Sequence, residues 1–181
     1  MTVTGEDPLY EFFITLHPLP DATTAGDAGS GAVAPTGTGE TPSTGDTFAD
    51  ARGRWRVLAV PRPLPSAPMA IGFDDALARL AALERLYVEP DGSLVWTSPR
   101  EGLRWQVDGN LFERDGRVLL VDLKGTCPPD EFDRLLAAFG WPGQAVMMEL
   151  VQAGVFLDDA EFRRHALARG PRGAGETLRP A

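Results

Sequence analysis

The sequence predicts an α+β fold: a central mixed or antiparallel sheet with flanking helices, in the order αβββαβ, preceded by two N-terminal strands. Three observations lead there. Short apolar runs bounded by Pro, Gly and Asp read as strands. Longer stretches carry apolar residues at helical spacing. Asp115-Gly116, between two alternating runs, is a hairpin signal. The 181 residues, 43% hydrophobic and 24% charged, suit one folded unit.

Taken in order, Tyr10 to Leu16 reads as a strand stopped by His17-Pro18-Leu19-Pro20. Residues 21–50 are Thr, Gly, Ala, Ser and Pro with a few acids, a composition that buries too little apolar surface to offset its ordering entropy. They read as a disordered acidic insert. Trp55 to Val60 is the second strand, and it pairs with the first across the insert, because loop-closure entropy grows only logarithmically with length. Residues 51–169 are then a single α+β domain and 170–181 a flexible tail. Within it, Phe73, Ala76, Leu77, Leu80, Leu83 and Tyr87 form a helical stripe that runs to Val88, before the turn Glu89-Pro90-Asp91-Gly92. Residues 93–97, 103–113 and 117–124 follow as strands. Pro128, Pro129, Asp130 and Glu131 open a helix with Phe132, Leu135, Leu136 and Phe139 on one side, ended by Gly140. Residues 145–151 are a further strand. The last helix begins at Asp158, with Glu161 at capping-box spacing and Leu157 placed as a staple.

The net charge of −9 is unevenly spread. Residues 1–50 hold eight acids and no Lys or Arg, so the other 18 acids sit among all 17 bases and the folded part is near neutral. A nucleic-acid partner is neither excluded nor marked by a strong basic face, and a protein partner is open. No apolar run reaches the length of a membrane span and no signal core is present, so no membrane association is expected and the location reads as cytoplasmic. One cysteine, Cys127, excludes a disulfide framework and a cysteine-only zinc site; His17 and His165 are too few for a His-rich metal centre.

Chemistry concentrates at four residues. On a wheel of about 100° per residue Glu84 falls about 40° from Leu80, inside the apolar stripe, where a carboxylate needs a partner or a metal, unless it lies near the helix end and reaches solvent or an arginine. Alternation places Asp122 and Lys124 on one face of their strand. A three-residue hairpin loop, Arg114-Asp115-Gly116, sets Asp108 directly opposite Asp122; a two-residue loop sets it on the other side. The three-residue loop keeps Val107, Leu111, Leu119, Val121 and Leu123 together on an apolar face and is preferred. Two opposed carboxylates repel unless a cation lies between them, and oxygen ligands suit Mg²⁺ or Mn²⁺. A lysine beside them stabilises developing charge or holds an attacking water. Lys124 is the only lysine among 17 basic residues, at a place where a compact, pKa-tunable ammonium differs most from a guanidinium.

Glu84, Asp108 and the Asp122-Leu123-Lys124 triplet, set in helix, three strands, helix and strand over residues 73–151, resemble the PD-(D/E)XK nuclease superfamily, although Val107 stands where that pattern often has Pro. The resemblance implies metal-dependent cleavage of nucleic-acid phosphodiester bonds, with Glu84, Asp108 and Asp122 as metal ligands and Lys124 orienting water. The competing reading is a non-enzymatic interaction, adaptor or immunity-type module whose hairpin acids are merely solvated. Of the remaining residues, Cys127 reads as buried and structural, His165 as a surface residue, Trp96, Trp105 and Phe112 as sheet packing, and Met147-Met148 as core. Gln106 and Gln144 are accessory polar groups at most.

Overall fold

The computed structural model describes residues 8–19, 46–51, 53–60, 64 and 67–168. Its elements are β1 (Tyr10–Pro18), β2 (Thr47–Asp50), β3 (Gly53–Arg56), α1 (Phe73–Ala81), β4 (Leu86–Val88), β5 (Ser93–Thr97), β6 (Gln106–Arg114), β7 (Arg117–Cys127), α2 (Pro129–Ala138), β8 (Val146–Leu150), β9 (Val155–Asp158) and α3 (Asp159–Ala168). Seven strands form one antiparallel sheet in the order β4-β5-β6-β7-β1-β8-β9, and β2-β3 is a separate hairpin. This is an α+β fold. Among the described residues no helix is long and apolar enough to cross a membrane.

The helices cover one face of the sheet. Alternation aims Tyr10, Phe12, Ile14 and Leu16 of β1 to that side with Val107, Leu111, Val121 and Leu123, all buried. Phe132 of α2 and Phe162 of α3 pack on Tyr10 and Phe12 with ring centroids 5.2–6.4 Å apart. The α2 boundaries follow the sequence closely: proline and acids at the start suit the helix dipole, and Gly140 takes a positive φ of 99° just past the end. Asp158 caps α3 as expected, its Oδ1 accepting the Glu161 N–H at 2.8 Å. The reciprocal half of the capping box is absent, because the Glu161 carboxylate accepts the Arg56 N–H (2.8 Å) and pairs with Arg164 (2.6 Å), which ties β3 to α3.

Four expectations are corrected. β1 does not pair with residues 55–60. It lies between β7 and β8 near the sheet centre, while β3 pairs with β2, so residues 47–50 of the expected insert are a strand. A short hairpin closes with far less entropy loss than a loop of residues 17–54, and the cross-strand pair Phe48–Trp55 gives it an aromatic side. Residues 21–45 of the insert and the tail 170–181 lie outside the described residues. Second, α1 stops at Ala81. The chain turns through Arg85, which has a positive φ of 62°, and residues 86–88 become the edge strand β4. Third, the hairpin loop is the two-residue Asp115-Gly116 turn, both residues at positive φ (53° and 74°) as a type I′ turn needs. A β-bulge between Phe112 and Glu113 then shifts the register by one. Fourth, residues 155–158 add β9 before α3.

Candidate functional site

The bulge decides the candidate site. With a two-residue turn alone, Asp108 would point into the core. The extra residue of β7 restores the parity, so Asp108 opposes Lys124 and Asn110 opposes Asp122. The expected facing was therefore reached by another route: Asp108, Asp122 and Lys124 share the helix-free face, but the two acids are diagonal neighbours instead of a directly opposed pair. Diagonal positions on a ladder are about 7–8 Å apart, which relaxes the repulsion that called for a cation.

Each acid has its own donor. Thr15 Oγ1 donates to Asp122 Oδ1 at 2.6 Å, and Gln106 Nε2 donates to Asp108 Oδ1 at 2.8 Å. Asp122 is half-buried and Thr15 is 8% exposed, so the first of these bonds is sheltered. Lys124 Nζ lies 5.6 Å over the Phe13 ring, a cation–π distance. Further along β1, buried His17 places Nε2 3.1 Å from Glu149 Oε2. Asp122, Asp108 and Glu149 thus each have a polar side-chain partner on this face, while Lys124 meets only an aromatic ring.

Glu84 is not part of this set. With α1 ended at Ala81 it occupies the exposed turn before β4, and its carbonyl accepts the indole N–H of buried Trp96 at 3.0 Å. At about 4.8 Å per strand, β4 lies about 10 Å from β6 and about 14 Å from β7, whereas Mg²⁺ holds its oxygens at about 2.1 Å. Among the described residues no three His, Cys, Asp or Glu side chains form a group able to hold a metal ion.

The face has a second component that the sequence reading missed. Register places Tyr87, Val95, Asp108, Lys124 and Phe13 side by side across β4, β5, β6, β7 and β1, and the Val151 N–H, just past β8, donates to the Phe13 carbonyl. Of this row Tyr87 is 67% exposed, Val95 40%, Phe13 36% and Val151 37%; Phe112, two residues along β6 from Asn110, is 42% exposed. One signal was available. In β1, Phe13 is a large apolar residue at the parity otherwise held by Glu11, Thr15 and His17.

Of the other residues singled out, Phe112 does not pack in the sheet as expected but is 42% exposed on this face; the rest have structural places. Cys127 is buried in the core, and burial followed by the charges of Glu131 and Asp130 pushes its thiol far above the ordinary range, leaving it unreactive. His165 is not a surface residue: it is 2% exposed, 3.2 Å from Asp50 Oδ2, with its ring edge-on to Trp55. Trp96 and Trp105 pack together at 5.0 Å, and Met147 and Met148 are buried. Gln144 accepts the Ala70 N–H. In comparison with known proteins, the chain matches no family model, no curated protein and no solved structure.

Proposed function

We propose that this chain is a non-enzymatic interaction module that takes a protein partner on the helix-free face of its sheet. The observation that supports this reading is the exposed row Tyr87, Val95, Asp108, Lys124, Phe13 and Val151. Five of the seven exposed large hydrophobic residues among the described ones lie on this face, and clustered exposed apolar groups of this kind mark contact surfaces. The face also carries Glu11, Asp108, Asp122 and Glu149 against Lys124 and Arg85, a balance that repels a polyanion and favours a protein surface over nucleic acid. The metal-dependent cleavage implied by the nuclease resemblance draws on Asp108, Asp122 and Lys124 sharing a face, but it lacks Glu84 as a third ligand there.

Thermal unfolding with Mg²⁺ and Mn²⁺, wild type beside Asp122→Ala, tests the choice. The interaction reading expects no metal-dependent rise in Tm for either protein. It also expects Asp122→Ala to lose about 1–2 kcal/mol, because the buried Thr15 hydroxyl loses its acceptor. A rise in wild-type Tm at millimolar metal that vanishes in Asp122→Ala would overturn it, since a ligand of the folded state must stabilise by mass action.

A further inference from the structure

We propose that the occupant of this face is a second copy of the chain, docked sheet to sheet about a two-fold axis that runs along the strands between β6 and β7. The inference rests on the interaction reading and names its partner. It comes from the order of residues in the exposed row. On one side of the β6/β7 boundary stand Tyr87, Val95 and Asp108; on the other stand Lys124, Phe13 and Val151. Each half reads apolar, apolar, charged towards the boundary, and the two charges are opposite.

A two-fold axis along that boundary lays β6 over the second copy's β7, β5 over its β1, and β4 over its β8. Asp108 then meets the second copy's Lys124, and by symmetry Lys124 meets the second copy's Asp108. Val95 meets Phe13 and Tyr87 meets Val151. Isologous contacts of this form are what a C2 dimer requires: residue i meets residue j and residue j meets residue i.

The central positions of the neighbouring rows satisfy the same operation, although at the outer end of the Asn110 row Glu89, which follows β4 beside Ser93, comes over the second copy's Glu149, an acid against an acid. Asn110 opposes Asp122 within the sheet, so across the axis an amide donor faces a carboxylate in both directions. Phe112 opposes Leu120, so two apolar residues meet twice. Gln106 pairs with Thr126, and the row continues to Thr97 on one side and Glu11 on the other. Thr97 Oγ1 accepts from Arg85 Nη2 at 3.2 Å, which brings a guanidinium to the place that faces the second copy's Glu11. The bulge in β7 is a condition for all of this, because without its extra residue the polar side of β6 would face the core.

The central charges are available for such contacts. Asp108 and Lys124 are exposed and oppose each other on the ladder, yet among the described residues neither forms an ion pair. Twisted sheets pack about 30° out of alignment, so register holds best near the axis, where the charge and amide pairs lie. Further out only apolar contact is asked of Tyr87, Val95, Phe13 and Val151. The face presents one position on β4, three on β5, four each on β6 and β7, and two each on β1 and β8, where Thr15, His17 and Met147 are buried; at about 4.8 Å by about 6.8 Å per position this is about 500 Å² per copy, or about 1,000 Å² in the dimer. That is below the range of standard specific interfaces and in the range of weak, transient ones, and it points to association no tighter than micromolar.

Sedimentation of the full chain over a concentration series, with two charge variants, tests the proposal. Wild type is expected to dimerise. Asp108→Lys and Lys124→Asp, each alone, place like charges at both symmetric contacts and raise the dimer Kd by more than about tenfold. Mixed one to one, the two variants complement each other across the axis and dimerise again. Like-charge repulsion inside each chain is unchanged by mixing, so recovery reports the contact between copies. Phe112→Lys serves as a variant that leaves the central charges alone: it also weakens association, while its urea midpoint in dilute solution stays at that of wild type, as an exposed position should. A wild type that remains monomeric at about 100 μM, single variants that dimerise like wild type, or a mixture that stays monomeric would each overturn the dimer. A monomer without metal-dependent stabilisation sinks the dimer and leaves the interaction reading standing with a different protein partner. Metal-dependent stabilisation sinks the reading itself, whatever the state of assembly.

Discussion

Gly125→Ala is expected to destabilise the protein by about 3–5 kcal/mol in urea unfolding, the sum of a strained backbone and a forced overpacking. Gly125 follows Lys124 in β7 and sits opposite Val107 on one side and Phe12 on the other, with φ at +143°. A Cβ there would fall 2.0 Å from the Gln106 carbonyl oxygen and 2.9 Å from Val107 Cα. Both obstacles are backbone atoms of the adjacent strand, so no rotamer change relieves them. Either β6 and β7 part or the ladder slips, and both outcomes turn Lys124 away from Asp108. A loss of this size is a large share of the 5–15 kcal/mol that holds an ordinary domain together. A variant within about 1 kcal/mol of wild type would mean that β6 and β7 are not joined in this register.

The residues on which that expectation rests mark how far the sequence could be read. Alternation put Asp122 and Lys124 on one face, and the choice of loop added Asp108 to it. Val107, Leu111, Val121 and Leu123 fell on the other, and burial agrees, whereas Leu119, expected among them, is the unpaired, partly buried residue of the bulge. The mechanism was hidden. Asp115-Gly116 signals a two-residue turn, the apolar pattern signals the opposite parity, and the two are compatible only through a bulge, which leaves no mark in residue type. The end of α1 was hidden for a related reason. Leu83 and Tyr87 continue the 3.6-residue stripe, while Leu86 and Val88 fit a two-residue period equally well, and the left-handed turn falls on Arg85 where no glycine announces it. Glu84 owed its apparent burial to that false extension. α2 was legible throughout, because proline, acids, stripe and glycine agree at every level. What lay beyond reach was partner choice among strands: the exposed row exists only once β1 is known to lie beside β7, and neither Phe13 nor Val151 carries that information locally.

Phe132→Ala is expected to lose about 3–5 kcal/mol, the range for deleting a buried aromatic ring. Phe132 is fully buried in α2, with ring centroids 5.7 Å from Tyr10, 5.2 Å from Phe12 and 5.3 Å from Phe162, and with the Arg163 guanidinium 5.8 Å over its face. These neighbours belong to β1 and α3, so the cavity cannot close without moving a central strand or a helix. The substitution acts on the side of β1 opposite to Phe13 and Thr15, and this separates two kinds of effect. The charge variants at Asp108 and Lys124 act on association, whereas Phe132→Ala acts on the fold behind the contact face. Distant, independent sites add, so at a temperature where Phe132→Ala keeps its native circular dichroism its dimer Kd should stay within about twofold of wild type while its urea midpoint falls sharply. Association lost in a folded Phe132→Ala protein would mean that the helix-covered side, and not the exposed row, carries the contact.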